Sequence, residues 1–310
     1  MSIFPSLPSF PAYRLYLAER FPLALNGFLA FLLYSCTLMA SARMFGTPVP
    51  GPLPYLAGYL WMVCLFYHLR VLDDIKDREA DVATYPERVL SRGLVSYRQL
   101  AVTGFLAIAV ETACAGYLGS KILILHFATL AYSLLMFKEF FIREWLKRHL
   151  FWYGISHMLI MACMDFTILQ MPTGHGALIR IPDFILFAFL GFCMTFSLEV
   201  ARKIRVPEEE KPGADSYSKE LGITGSLALS SGFQAAVLAF TFLLRKALGL
   251  PIWFLISTAV TWLIVAGLFA FLRTRMDDRI SRKLDKVAAL FYLQFYLGLL
   301  AVLIAKGYAS

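Results

Sequence analysis

Nine apolar runs of near-spanning length restrict this chain more than any motif does. They lie at approximately 21–42, 52–71, 99–118, 121–137, 150–170, 183–200, 222–244, 251–271 and 287–305. About 20 apolar residues cross a bilayer as a helix, and within hydrocarbon only helices and closed barrels satisfy their own backbone groups. The expected fold class is therefore all-α, a polytopic integral membrane protein with about nine transmembrane helices around a central cavity. Composition agrees: 59% hydrophobic residues and 16% charged, with a mean hydropathy of +0.66, exclude an ordinary soluble domain. Only Gly119-Ser120 separates the third run from the fourth, which predicts an antiparallel hairpin rather than one long span.

Orientation follows from the basic residues. With the N-terminus in the cytoplasm, 23 of the 29 lysines and arginines fall on that side, leaving Arg43, Lys121, Arg180, Arg245, Lys246 and Lys306 for the other face. The positive-inside rule therefore places the N-terminus and all the long charged loops in the cytoplasm. The segment up to Pro22 lacks the pattern of a removable signal peptide. A net charge of +8 fits contact with anionic membrane lipids and phosphates. It does not point to nucleic acid, because no basic soluble domain is present to hold it. Cys36, Cys64, Cys114, Cys163 and Cys193 each fall inside an apolar run with no CxxC pair, and read as packing residues. No domain-separating linker interrupts residues 1–310. Charged segments after the second and sixth runs, and basic loops after the fourth and eighth, suggest a single membrane domain of two four-helix halves plus a ninth helix.

Chemistry concentrates where the second run ends, in Asp73-Asp74-Ile75-Lys76-Asp77-Arg78-Glu79-Ala80-Asp81. On a helix turning about 100° per residue, Asp73, Asp77, Asp81 and Asp74 fall at roughly 0, 40, 80 and 100°, on one face. Like charges at this spacing repel, so the arc invites protonation or a multivalent cation. Hard oxygen donors suit Mg²⁺, which binds through one or two carboxylates plus substrate phosphates, and the ligand types exclude a sulfur or imidazole metal site. The alternative is a solvated acidic helix end.

The motif Asp73-Asp74-x-x-Asp77-x-x-x-Asp81 resembles the (N/D)DxxDxxxD motif of the UbiA superfamily of intramembrane prenyltransferases. The continuation through Pro86-Glu87-Arg88 and Ser91-Arg92-Gly93-Leu94-Val95-Ser96 is similar to the family's in order and spacing. Tyr132 and Lys138 resemble a further family landmark, in which the lysine faces the diphosphate; an ordinary basic helix flank reads as well there. The resemblance implies a Mg²⁺-dependent enzyme, its metal held by Asp73, Asp74, Asp77 and Asp81 and its prenyl diphosphate met by Arg88, Tyr132 and Lys138.

The second acidic motif departs from the family pattern. Gly213, Ser216, Leu221 and Gly222 keep the downstream spacing and align Glu209 with one family aspartate, while Arg205 and Ala201 stand where two more acids are expected. Glu199 and Glu209 remain as candidate metal ligands. Arg202 and Lys203 become candidate phosphate-binding cations, because Arg grips phosphate bidentately and Lys acts as a point charge. A plain Glu199–Lys203 pair on a helix surface is the bland alternative. Trp61, Phe66, Tyr67, Tyr132, Trp152 and Tyr153 are candidate aromatic faces for an allylic cation. Asn26 is placed to meet a small lipid-soluble or aromatic acceptor, and His157 is a further candidate; Asp165 lies deeper. The expected function is prenyl transfer from a prenyl diphosphate to such an acceptor. Competing readings are a terpene cyclase of the same superfamily and a divalent-cation transporter; against the latter, transport sites lie near the bilayer midplane.

Overall fold

The computed structural model describes residues 7–172, 181–210 and 216–306, and among these every regular element is a helix. A short helix that the apolar pattern does not announce, α1 (Phe10–Arg20), comes first. It is followed by α2 (Leu23–Phe45), α3 (Pro52–Lys76), α4 (Arg78–Thr84), α5 (Tyr97–Leu118), α6 (Ser120–Phe137), α7 (Arg143–Lys147), α8 (Leu150–Met158) and α9 (Ile160–Gln170). The remainder comprises α10 (Ile181–Arg202), α11 (Tyr217–Leu248), α12 (Ile252–Arg273), α13 (Asp278–Ser281) and α14 (Leu284–Ala305). Nine spans long and apolar enough to cross a membrane are present among the described residues, as the runs predict. One of them, the fifth, is built from α8 and α9 around a break at Leu159. Large apolar side chains such as Phe105, Ile124, Leu263 and Ile264 are exposed, as suits a lipid-facing surface.

The chain forms two compact units, Met1–Tyr34 with Pro50–Phe140, and Ser35–Val49 with Phe141–Ser310, so that α2 divides between them. In the first unit α5 and α6 are joined by Gly119 alone, at a φ of 118° that only glycine adopts easily, and the expected hairpin forms. Helices α3 and α5 approach closely: a Cβ on Gly104 would sit 2.9 Å from Val71 Cγ1. Between α3, α5 and α6 runs a buried polar chain that no motif signals. His68 Nδ1 lies 2.7 Å from Glu111 Oε1, and His68 Nε2 lies 3.1 Å from Ser133 Oγ. The indole of Trp61 donates to His126 Nδ1 at 3.2 Å. Buried polar groups in a membrane persist only when partnered in this way.

In the second unit α10 packs on α11 through Phe192, Phe196, Phe233 and Tyr217, whose rings meet at 4.7–6.2 Å between centroids. Asp165 is buried, accepts a hydrogen bond from Thr37 Oγ1 at 3.2 Å, and lies against Gly191, where its Oδ2 leaves no room for a Cβ. That environment makes it a helix-packing group. The five cysteines are unpaired and buried or half-buried, as expected of packing residues.

Candidate active site

The acidic motif straddles a break in the chain. Asp73 and Asp74 close α3, Asp77 caps it at φ −92° and ψ 10°, and Asp81 belongs to α4. Although the helix is interrupted at Asp77, the bonds from Asp77 N to Asp73 O and from Asp81 N to Asp77 O persist, each 2.9 Å long. The single helical face expected from the spacing is thereby largely kept, with Asp77 at its hinge. Downstream, the Gly93-x-x-Ser96 landmark is a turn and a cap. Gly93 has a φ of 71°, and Ser96 and Gln99 exchange side-chain-to-backbone bonds at the start of α5.

The four aspartates have different surroundings. Asp74 is fully buried; its Oδ1 accepts from Arg20 Nε at 3.0 Å, Arg20 Nη2 at 2.5 Å and Arg70 Nη2 at 2.6 Å, while its Oδ2 accepts from Tyr16 at 2.9 Å. Asp81 pairs with Arg88 at 2.8 Å and with Arg20 at 3.3 Å. Asp73 is half exposed and meets Lys76 at 3.2 Å and Arg70 at 3.7 Å. Of the four carboxylates, that of Asp77 alone has no hydrogen-bond or ion-pair partner among the described residues. Burial raises its carboxyl to about 6; Lys76 opposes the shift, while the charges of Asp73, Asp81 and Glu139 add to it. Burial and Asp74 together push the Tyr16 hydroxyl far above its usual range, so it stays a proton donor.

Arg88, from the Pro-Glu-Arg landmark, has its guanidinium carbon 3.6 Å from the centre of the Tyr85 ring. Tyr132 packs edge-on to Phe140 at 5.5 Å. Lys138 caps α6, its Nζ 5.3 Å from the centre of Phe137. Beyond it, Glu139, Phe140 and Phe141 hold φ values of 47°, 52° and 61°, three successive left-handed residues without a glycine. Such backbone costs about 1–2 kcal/mol per residue and concentrates at functional sites. Here it turns Glu139 inward, where it is buried and acts electrostatically on Asp77. Asn26 bonds back to Pro22 O at 3.0 Å, within its own helix entry.

The altered second motif lies in the other unit. Glu199 Oε2 pairs with Arg202 at 2.5 Å and Glu199 Oε1 with Lys203 at 3.2 Å, so both of its oxygens carry cations. Lys203 also lies 5.5 Å from the Tyr153 ring. His157 stacks on Tyr153 at 4.0 Å and bonds to its carbonyl at 3.0 Å. Arg205 turns its Nη1 to the carbonyls of Arg202 and Ile204. Ser216 caps α11 and bonds to Glu210 at 2.9 Å. The Glu209 side chain and Gly213 lie outside the described residues.

Sequence reasoning did not single out Arg20, Tyr16, Arg70 or Glu139. Arg20 and Tyr16 lie in a segment with no apolar periodicity of spanning length, Arg70 in a run read only for its hydropathy, and Glu139 just past the end of the fourth apolar run.

Known proteins supply the context. No curated protein sequence matches the chain. Among solved structures it is similar to a UbiA homolog from Aeropyrum pernix K1, with a TM-score of 0.65 and 17% identity over 86% of this chain and 97% of that one. A digeranylgeranylglyceryl phosphate synthase superposes with a TM-score of 0.62 and 15% identity over 96% and 100% of the two chains. A UbiA homolog from Archaeoglobus fulgidus bound to DMAPP and Mg²⁺ gives 0.55 and 14% over 92% and 99%. At these identities the likeness establishes the fold. The sequence model of the UbiA prenyltransferase family matches residues 28–299, most of the chain, and the chain therefore belongs to the UbiA prenyltransferase family.

Proposed function

We propose that this protein is a Mg²⁺-dependent membrane enzyme that transfers the prenyl group of a prenyl diphosphate to a small lipid-soluble or aromatic acceptor. The observation that carries the reading is Asp77, a half-buried carboxylate without a partner among the described residues, set between Asp73 and Asp81 and close to arginines that are tied to the neighbouring acids. An uncompensated carboxylate near guanidinium groups suits a metal diphosphate, whose ion and oxygens call for both.

The donor set fits Mg²⁺. All the candidate ligands are carboxylate oxygens, hard donors of the kind Mg²⁺ takes through one or two carboxylates together with substrate phosphates. Asp73 and Asp77 would hold it, and when bound it supplies charge neutralisation of the diphosphate leaving group. The prenyl carbon–oxygen bond breaks with its electron pair leaving on diphosphate, a bond from the acceptor to that carbon forms, and the acceptor gives up a proton. Arg20 and Arg88 offer charge-assisted hydrogen bonds to the departing oxygens. Support also comes from family membership and from the DMAPP, GPP and Mg²⁺ found in structures of one relative.

The test is incubation of the purified protein with Mg²⁺ and prenyl diphosphates of several lengths, with and without aromatic and lipid acceptors. Diphosphate release that requires both Mg²⁺ and acceptor, and that Asp77→Asn abolishes in a folded protein, is expected. Release of hydrocarbon or terpene alcohol without acceptor would make it a cyclase, and Mg²⁺ flux without diphosphate consumption would make it a transporter.

A further inference from the structure

Of the six basic residues that the charge distribution sets apart from the other 23, three converge on one tight turn of the second unit. Helix α11 ends at Leu248 and α12 begins at Ile252. Between them the backbone N–H groups of Gly249 and Leu250 turn back to the carbonyls of Lys246 and Arg245, which leaves the carbonyls of Leu248, Gly249 and Leu250 outside the helical ladder. Each of these receives a cation. Arg43 Nε, near the end of α2, donates to Leu248 O at 2.8 Å, and Arg245 Nε, in the last turn of α11, donates to Leu250 O at 3.2 Å. Lys306 Nζ, just past α14, donates to Gly249 O. The tips crowd one spot: a Cβ added to Gly249 would meet Arg43 Nη2 at 2.9 Å and Lys306 Nζ at 3.3 Å. Like charges this close repel, yet none of the three pairs with a carboxylate among the described residues.

Helix ends compensate only part of this charge. The C-termini of α2, α11 and α14 each contribute about −0.5 of a charge and the N-terminus of α12 about +0.5, so together they offset roughly one of the three cations. Donors are in surplus as well. After the carbonyl bonds, each arginine keeps both of its Nη groups and Lys306 keeps two of its three N–H bonds. The turn that gathers them is anchored, because Leu248 and Leu250 are buried while Ile252 and Trp253 beside them are exposed. An exposed tryptophan at the end of a span marks the headgroup level of a bilayer, where lipid phosphates lie.

We propose that Arg43, Arg245 and Lys306 form a phosphate-binding site at the α11–α12 turn, filled by the phosphodiester of an anionic membrane lipid. Two guanidinium forks and an ammonium group are donors that grip phosphate oxygens. A zwitterionic headgroup brings its own cation, so the surplus positive charge selects a headgroup of net negative charge. None of the three residues takes part in the proposed function, and failure of the site leaves that reading standing.

The test titrates the full-length protein, in non-ionic detergent and below its unfolding temperature, with phosphatidylglycerol, phosphatidylcholine and inorganic phosphate, and counts bound lipid by native mass spectrometry. The parent should hold one phosphatidylglycerol more tightly than any phosphatidylcholine. Arg43→Gln and Lys306→Gln should each weaken that binding about tenfold, the size of a lost charged hydrogen bond, and leave phosphatidylcholine unaffected. Lys306 is exposed, so its variant reads the site even if Arg43→Gln does not fold. Arg279→Gln, which removes the same charge from the exposed surface beyond the other end of α12, should change nothing. Displacement of the lipid by millimolar inorganic phosphate in the parent would keep the phosphate chemistry and overturn the lipid as its source. Equal weakening in Arg279→Gln would mean attraction by net charge alone and would overturn the site. So would Arg43→Gln and Lys306→Gln proteins that lose thermal stability but keep the parent's preference for phosphatidylglycerol, since cations that only cap helices behave in that way.

Discussion

Asp77 has the most distinctive electrostatic setting of the four aspartates. Its neighbours in sequence are tied to cations, and it takes up a proton more readily than an ordinary aspartate, at about pH 6, because burial and then the surrounding acids disfavour its charge. The sign of the consequence is fixed. A folded-state value above the unfolded one means that stability is greatest below about pH 4 and is lost as pH rises through 6, by about 3 kcal/mol. A divalent cation removes that loss by replacing the proton. The thermal midpoint of the metal-free protein should therefore fall between pH 4 and pH 7, the fall should shrink when Mg²⁺ is added, and Asp77→Asn should show neither effect. A midpoint in the parent that is flat across this range would place the Asp77 carboxylate in an ordinary solvated setting. Protonation at Asp77 also competes with the ion, so Mg²⁺ should bind more tightly at pH 7 than at pH 5.

At the scale of elements, the termini of helices carry the motifs. Asp73 and Asp74 end α3, Asp77 is the joint to α4, Ser96 opens α5, Lys138 closes α6 and Ser216 opens α11. Landmarks that read as family signatures thus have local mechanical reasons: a left-handed glycine turn before a capping serine, and a carboxylate at a helix break. The turn after α6 is the strained counterpart. Phe141 sits at a φ of 61° and is 78% exposed as a residue, so its conformation is unfavourable and its side chain contributes little packing within the chain. Phe141→Gly should raise the thermal midpoint, by up to about 1 kcal/mol of stability, because glycine accepts that backbone freely. Phe140→Gly should gain less, since it also discards the ring contact with Tyr132. A midpoint lowered by Phe141→Gly would mean that the ring anchors the turn at the membrane interface and that this outweighs the strain.

At the scale of the molecule, the distribution of charge sets the orientation we propose, with the N-terminus and the charged loops cytoplasmic. Glu208, exposed in the short 3-10 turn Pro207–Glu209, offers a test. In a chain stripped of its five native cysteines, Glu208→Cys should react with an impermeant thiol reagent in inside-out vesicles and not in intact cells; labelling in intact cells would invert the topology. The nine spans and the α5–α6 hairpin were legible in the sequence because both are local properties: apolar length is set by bilayer thickness, and a lone glycine permits one kind of reversal. The spacing of the four aspartates was legible for the same reason, since helical periodicity acts over a few residues. Their different surroundings were not. Asp74 is filled by Arg20 and Tyr16 from more than 50 positions upstream, Asp77 faces Glu139 from some 60 positions downstream, and Glu111 is matched to His68 across two helices. The sequence by itself determined that four acids share a helical face at the end of a membrane span. Tertiary structure alone decided which of them already holds its counter-charge, because charge pairing depends on distance in space, and packing of α1 and α6 sets those distances.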